Sequence, residues 1–369
     1  NSNIAILKIF VRAGGGVDIV SGGELYRALC AGVDPGKVVY SGVGKKIEEI
    51  EYALETGILM FNIESFQELE VINACAGRMK KKAGVALRVN PDVDPETHPY
   101  ISTGLKENKF GINVEKSYQM YLQARRYRNL DLKGVSCHIG SQLTKISPFI
   151  DALKRIKNLL QSLQEVGIDI RYLDLGGGLG ITYKDETPPH PSEYADAIIG
   201  SSRDISCTFI FEPGRVIVGN AGILVTTVLY TKENEDKRFI VVDAGMNDLV
   251  RPSLYKSYHH IQQVKKSRRK EIVADVVGPI CESGDYLAKD RKLPGFVRGD
   301  QLAVMSAGAY GFTMSSNYNS RPRAAEVLVV GDNYHVIRKR EDFRDLIRGE
   351  KIPDVLKNNA KSISRRAYV

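Results

Sequence analysis

The sequence predicts an α/β protein: a (β/α)8 barrel that lacks its first strand, followed by a mostly antiparallel β domain built as a barrel or sandwich. In the first two-thirds of the chain, short β-branched runs alternate with segments whose apolar residues recur at helical spacing. After about residue 220, strand-like runs continue without regular helices between them. The chain also opens on a predicted helix rather than on a strand.

Seven strand-like runs come before residue 220, each followed by a glycine or polar turn. They are Val17 to Val20, Val38 to Tyr40, Leu59 to Ile63, Val85 to Val89, Val135 to Ile139, Tyr172 to Leu175 and Thr208 to Phe211. Helical spacing appears between them, as in Ile47 to Leu54, Phe66 to Cys75 and Ile150 to Val166. Strands that alternate with helices predict a parallel sheet.

The common closed form of such a sheet has eight strands, and the start of the chain suggests why only seven are found. Asn1-Ser2-Asn3 offers helix-capping side chains, and Ile4, Leu7 and Val11 follow at helical spacing. A barrel cut just after its first strand explains both the helical start and the count of seven.

The second part of the chain predicts a β domain. Its strand-like runs are Ile223 to Tyr230, Phe239 to Val242, Ile272 to Val277, Gln301 to Met305 and Val327 to Val330. A last helix is expected over Glu341 to Arg348, and the polar tail from Lys357 is expected to be frayed. We therefore predict a barrel over residues 1–220, a β domain over 221–355 and a polar tail over 356–369.

Composition excludes several classes of protein. Hydrophobic residues make up 43% and charged residues 26% of the 369 positions, as in ordinary globular proteins. No apolar run reaches the roughly 20 residues of a membrane helix, and no targeting signal is visible. The five cysteines are scattered, which argues against a disulfide framework and for a reducing compartment. The cysteines do not distinguish the bacterial cytosol from a plastid stroma. The six histidines show no metal-ligand spacing, so no metal is expected.

The net charge of +8 is diffuse. Its densest patches are Lys265 to Lys270 and Arg365-Arg366. Neither patch has interleaved aromatic residues or a recognition motif, so a solvated loop is favoured over a nucleic-acid interface. Anionic small molecules would suit the charge equally well.

Chemically useful side chains follow the predicted barrel strands. They are Asp18, Ser21, Ser41, Glu64, Arg88, Asn90, His138, Ser141, Gly176-Gly177-Gly178 and Glu212-Pro213-Gly214-Arg215. Because the carboxyl ends of barrel strands build the active site, we expect these residues to meet at one rim.

Each of these motifs also has a structural interpretation. The three glycines suit either a flexible turn or a phosphate contact through bare backbone amides. Glu212 could form an ion pair with Arg215 or face a cationic ring nitrogen. His138 could be a satisfied core histidine. In the β domain, Cys281 could be inert and Tyr310 could cap the core.

Taken together, these motifs resemble the fold-type III, alanine-racemase-like pyridoxal-phosphate decarboxylases, and within that group the diaminopimelate decarboxylases. The resemblance covers nearly the whole chain. Its most specific pieces are Asp18 to Leu25, Arg88 to Pro91, Thr97 to Gly104 and Lys109 to Gly111, with the motifs around His138, Gly177, Glu212, Cys281 and Tyr310. The whole set in this order makes the resemblance specific.

The resemblance implies pyridoxal 5'-phosphate as cofactor. The implied cofactor-binding residues are Asp18, His138, Ser141, Gly177, Gly178, Glu212, Gly214, Arg215 and Tyr310. His138 would stack on the cofactor ring, and the glycines with Tyr310 would hold the phosphate. Glu212 would pair with the ring nitrogen, because a carboxylate raises that nitrogen's proton affinity and a protonated ring is a better electron sink.

The resemblance also implies the reaction: decarboxylation of meso-2,6-diaminopimelate to L-lysine, the last step of lysine biosynthesis. Cys281, together with His138 and Glu212, would be catalytic, and Cys281 would return a proton from the partner subunit of a homodimer with shared sites. The implied substrate-binding residues are Arg215, Arg251, Tyr255, Glu282 and Tyr310. The arginines and Tyr255 would hold the distal carboxylate, and Glu282 the distal ammonium.

One feature departs from the family. Its cofactor lysine stands just before an Asn-Ser-Asn sequence, and here that position lies upstream of Asn1. Lys8, within the predicted first helix, cannot substitute for it. We therefore expect a fragment of a decarboxylase. The alternatives are a related decarboxylase for ornithine, arginine or carboxynorspermidine, and a non-catalytic homologue that acts as a binding partner.

Overall fold

The computed structural model describes residues 1–93, 109–235 and 237–357. Two compact units divide the chain, one over Asn1–Ser315 and one that begins at Ser316. The Thr97 to Gly104 motif and the tail from residue 358 lie outside the described residues. Within the described part, no helix combines the length and the apolar character needed to cross a membrane.

A parallel sheet forms the first half of the larger unit. Its strands are β1 (Val17–Ile19), β2 (Val38–Tyr40), β3 (Met60–Ile63), β4 (Ala83–Asn90), the short β5 (Ile112–Asn113), β6 (Leu130–Ser136), β7 (Tyr172–Asp174) and β8 (Thr208–Ile210). Apart from β5, which pairs only with β4, they neighbour one another in chain order and every pairing is parallel. Each of the seven predicted runs overlaps a strand, although β6 ends at Ser136 whereas the predicted run was Val135 to Ile139, and the barrel-type α/β class is confirmed.

Helices connect these strands. They are α1 (Ile4–Arg12), α2 (Gly22–Cys30), α3 (Ile47–Thr56), α4 (Phe66–Arg78), α5 (Val114–Ala124), α6 (Ser147–Glu165), α7 (Pro191–Ser201) and the four-residue α8 (Arg215–Val218). Side-chain caps begin several of them. Asn3, Ser21 and Ser65 accept hydrogen bonds from backbone N–H groups in the first turns of α1, α2 and α4. Ser21, expected at the active-site rim, is therefore a helix cap.

The main core lies between this sheet and its helices. Leu69 and Ile72 of α4, Leu87 of β4 and Ile156 of α6 are all fully buried there. Because strand side chains alternate between faces, a smaller apolar cluster of Val39, Met60 and Ala86 forms separately. The helices thus fix the sheet from one side, and the ends of its strands are free to carry polar groups.

The second sheet has six strands. They are β9 (Leu224–Asn234), β10 (Lys237–Val242), β11 (Ile261–Gln263), β12 (Glu271–Val277), β13 (Tyr286–Pro294) and β14 (Gln301–Val304), with the short helix α9 (Arg251–Tyr255) after β10. Only the β10–β12 pairing is parallel, which confirms a mostly antiparallel domain. The change of sheet falls between β8 and β9, near the predicted boundary at residue 220. Both sheets lie in one compact unit, and the division into two domains stays a prediction.

The smaller unit contains a hairpin of β15 (Glu326–Val330) and β16 (Asn333–Arg338), followed by α10 (Phe343–Leu346). The helix expected over Glu341 to Arg348 is therefore only four residues long. Glu341 does not join it because its carboxylate accepts hydrogen bonds from the backbone and guanidinium of Arg323. These bonds lower the pKa of Glu341 to about 2. Asp342 caps the helix instead.

Candidate active site

The carboxyl ends of the parallel strands border a cavity of about 1030 Å³. The predicted rim residues that line it are Asp18, Ser41, Arg88, His138, Ser141, Gly178, Glu212, Pro213, Gly214 and Arg215, joined by Tyr310 from the segment after β14. The cavity continues along the sheet to the opposite strand ends, where Val17, Leu59 and Thr208 line it. The predicted convergence is found, and both sheets contribute to it.

Two further rim candidates serve the local structure. Glu64 forms an ion pair with Arg88 at 2.7 Å and accepts a hydrogen bond from the Gly111 N–H. Asn90 accepts one from the Asp92 N–H at 2.9 Å. Neither side chain lines the cavity, so both position their neighbours.

Three carboxyl groups lie close together at the rim, those of Asp18, Asp174 and Glu212. Asp18 and Glu212 line the cavity, whereas Asp174 is fully buried. Asp174 accepts hydrogen bonds from Asn62 Nδ2 at 3.0 Å and the Gly176 N–H at 2.9 Å. Its side chain is also within hydrogen-bonding reach of Glu212, so this buried acid ties the Glu212 carboxyl to the glycine turn.

The surroundings of these acids favour their protonated forms. Desolvation in the cavity wall raises the pKa of Asp18 to about 7, although the residue keeps exposed surface; a hydrogen bond from Ser41 opposes this shift and the charge of Asp174 adds to it. Enclosure, followed by the charges of Asp18 and Asp174, raises the pKa of Glu212 well above its usual range. Arg88 lowers both values. A cationic group placed between Asp18 and Glu212 would stabilise their charged forms.

His138 is a neutral ring in the cavity wall. Enclosure, with the charge of Arg88 adding, lowers its pKa to about 3. Its Nδ1 accepts a hydrogen bond from the Gly177 N–H at 3.1 Å, so the ring proton resides on Nε2. A neutral imidazole held by the backbone suits contact with a flat ligand ring better than proton transfer at neutral pH.

The three glycines after β7 are required by close packing. A Cβ at Gly177 would lie 2.2 Å from the Glu212 carbonyl oxygen. Gly178 has φ +112°, and a Cβ there would lie 2.4 Å from the Gly140 carbonyl oxygen. The turn is therefore tight rather than flexible. Gly177 donates its N–H to His138, whereas Gly178 and Gly214 line the cavity.

Two arginines meet beside the cavity. Arg215 and Arg251 are each only 6% exposed; Arg215 begins α8, which follows the parallel sheet, and Arg251 begins α9, which follows β10. The Tyr310 ring lies 4.8 Å from the Arg215 guanidinium carbon, and the Tyr255 ring lies 5.4 Å from that of Arg251. The ion pair considered between Glu212 and Arg215 is not formed, since Arg215 donates to the Tyr183 hydroxyl instead. The site thus separates an acidic rim from a cationic pocket.

The Tyr310 backbone is strained, with φ 56° in the left-handed region that favours glycine. Such a conformation persists only where the surrounding structure enforces it. Here it accompanies a tyrosine ring that both lines the cavity and covers Arg215.

Cys281 and Glu282 are exposed and do not line the cavity of their own chain. Their loop is held by Asp285, whose buried carboxylate accepts the N–H groups of Met246 and Ile280, each at 2.7 Å. The loop is therefore well defined although its two functional candidates face outward.

Sequence reasoning missed several residues of the site, notably Asn62, Asp174, Tyr183 and His259. Asp174 had a usable signal, an acid inside an apolar strand just before the glycines. Tyr183 and His259 lie in loops without a local motif. Among the residues that the structure describes, no group of three or more histidine, cysteine, aspartate or glutamate side chains is arranged to hold a metal ion.

Comparison with known proteins extends these observations. Residues 1–219 match the family model described as "Pyridoxal-dependent decarboxylase, pyridoxal binding domain". A diaminopimelate decarboxylase from Pseudomonas aeruginosa is 54% identical over 95% of this chain and 85% of its own length. One from Aquifex aeolicus is 53% identical over 93% of this chain and 82% of its own. A solved Helicobacter pylori diaminopimelate decarboxylase complexed with L-lysine has TM-score 0.91 and 46% identity, with 94% of this chain and 87% of that chain covered.

Proposed function

Because this chain belongs to the diaminopimelate decarboxylase family of pyridoxal-dependent decarboxylases, we propose that it converts meso-2,6-diaminopimelate into L-lysine and carbon dioxide. The observation that carries the proposal is 53% identity over 93% of the chain to a protein named for this activity. The two buried arginines support it, since diaminopimelate keeps a second carboxylate at its unreactive end. A substrate whose distal group is only an amine offers no carboxylate for these two arginines to bind.

The residues at the rim fit pyridoxal phosphate as the cofactor. The acids around Glu212 suit a protonated ring nitrogen, the neutral His138 suits the ring face, and Gly178 and Gly214 border the cavity where a phosphate needs backbone amides. When bound, the cofactor supplies an electron sink for the electron pair left on the substrate's α-carbon as carbon dioxide departs.

The remaining steps belong to the chain's own side chains. Glu212, which is within hydrogen-bonding reach of Asp174, would hold the proton on the ring nitrogen. Arg215, Arg251 and Tyr255 bind the retained carboxylate, and Glu282 binds the ammonium beside it. Cys281 gives a proton to the α-carbon from its thiol.

We further propose a homodimer in which Cys281 and Glu282 complete the site of the partner subunit. Their exposure and their absence from the cavity of their own chain support this arrangement. A reducing compartment, such as the bacterial cytoplasm, is proposed because all five cysteines are free thiols.

A substrate panel tests the proposed activity. With the full protein loaded with pyridoxal phosphate, we expect kcat/KM for carbon dioxide release from meso-diaminopimelate to exceed that from L-ornithine and L-arginine by about 100-fold or more, because only diaminopimelate satisfies both arginines. Release from ornithine or arginine but not from diaminopimelate would overturn the substrate. Release from none of them would favour the non-catalytic binding partner.

A further inference from the structure

The two buried arginines are held in place by aromatic rings instead of acids. The Arg215 Nη1 donates to the Tyr183 hydroxyl at 2.6 Å, and the Arg251 Nη2 donates to the Ser257 hydroxyl at 3.2 Å. Among the described residues, neither guanidinium takes part in an ion pair, and the buried Nε of each has no hydrogen-bond partner. Within the described ranges, these two buried positive charges therefore have no acidic partner.

Tyr183 touches both cations. Its ring centre lies 5.8 Å from the Arg215 guanidinium carbon and 5.2 Å from that of Arg251. An aromatic face attracts a cation through its quadrupole but carries no charge. A carboxylate in the same place would neutralise the arginines and compete with a carboxylate ligand. A tyrosine can position both guanidinium groups and leave their charge for the ligand.

His259 supports Tyr183 from the other side. It is fully buried, and its ring meets that of Tyr183 edge-on at 5.2 Å between centres. The Met305 carbonyl oxygen lies 2.9 Å from Nδ1, which places the ring proton there, and Nε2 has no partner among the described residues. Burial lowers the pKa of His259 to about 4, and the charges of Arg251, Arg215 and Arg291 add to the shift. A neutral His259 adds no third positive charge to the pocket.

We propose that Tyr183, backed by His259, is a specificity-determining positioning residue that aligns Arg215 and Arg251 to bind the carboxylate the reaction leaves intact. This inference rests on the proposed function, because it takes that carboxylate to be the one retained in L-lysine. Burying a charge without an opposite charge beside it costs free energy. One bound carboxylate would lower this cost for both arginines at once. The alignment of the two donors decides how well one carboxylate can accept from both.

The test uses Tyr183→Phe, which keeps the ring and removes only the hydroxyl that accepts from Arg215. Binding of L-lysine and of 1,5-diaminopentane, which is lysine without its carboxylate, is measured by calorimetry on the full protein loaded with pyridoxal phosphate. We expect the Kd for L-lysine to rise about tenfold, as for a lost hydrogen bond to a charged group. The Kd for 1,5-diaminopentane should stay within twofold. Tyr127→Phe, which removes a hydroxyl bonded to Glu70 on the protein surface, is the matched control and should change neither value.

The possible results separate two kinds of failure. An unchanged Kd for L-lysine in Tyr183→Phe would overturn the role of Tyr183, and so would an equal loss for both ligands, which would mean a general structural defect. If the unmodified protein did not prefer L-lysine to 1,5-diaminopentane, the proposed function itself would fail, and this inference with it.

Discussion

Glu212→Gln is expected to lower kcat for carbon dioxide release by about 100- to 1000-fold, the range seen when one preorganised electrostatic group is removed. A glutamine is uncharged, so it cannot hold a proton on the ring nitrogen, and the electron sink weakens. The measurement is steady-state kcat with meso-diaminopimelate, together with the Kd for pyridoxal phosphate. Glu165→Gln, at an exposed position of α6, is the matched control.

The contrary result has a clear meaning. If Glu212→Gln kept kcat within about threefold of the unmodified protein, the acids at the rim would serve the structure rather than the ring nitrogen. A loss of thermal stability with unchanged kcat would point the same way, because Glu212 contacts the buried Asp174.

The second large effect is a recovery of activity between two inactive variants. Cys281→Ala should lose the proton donor and cost about 100-fold or more in kcat, and His138→Ala should lose the ring contact. When the two proteins are mixed and their subunits exchanged, half of the dimers combine one of each. Each such dimer then has one intact site, so about a quarter of normal activity should return.

Each variant exchanged with itself is the control and should stay inactive. If the mixture also stayed inactive although mass spectrometry showed mixed dimers, each site would be self-contained. In that case Cys281, exposed in its own chain, would need to reach its own cavity by a loop movement.

The fold could be predicted from local patterns where a strand is apolar throughout. The residues of β2, Val38 to Tyr40, are all buried, and the sequence run matches the strand residue for residue. The strand β13 was missed because Lys289, Asp290 and Arg291 interrupt it with charges that its partly exposed position tolerates. The length of the helix near the end was overestimated because the Glu341 carboxylate binds Arg323. No local sequence pattern indicates this contact.

The same distinction between local patterns and long-range contacts applies to the residues of the site. Rim residues such as Asp18, His138 and Glu212 were predicted because they directly follow strands, whose ends a parallel sheet brings together. Tyr183 and His259 were not, since they lie in loops and approach Arg215 and Arg251 only in the folded chain. Asp174 was not predicted, because the only local sign of this buried acid is its place in an apolar strand just before the glycines.

We expect this site to remove one carboxylate of diaminopimelate while the two arginines protect the other. To test this, the full protein, loaded with pyridoxal phosphate, is allowed to consume meso-diaminopimelate completely and every product is identified. We predict one equivalent of carbon dioxide and one of L-lysine, with no 1,5-diaminopentane. Formation of 1,5-diaminopentane, or substrate left intact without carbon dioxide release, would contradict it.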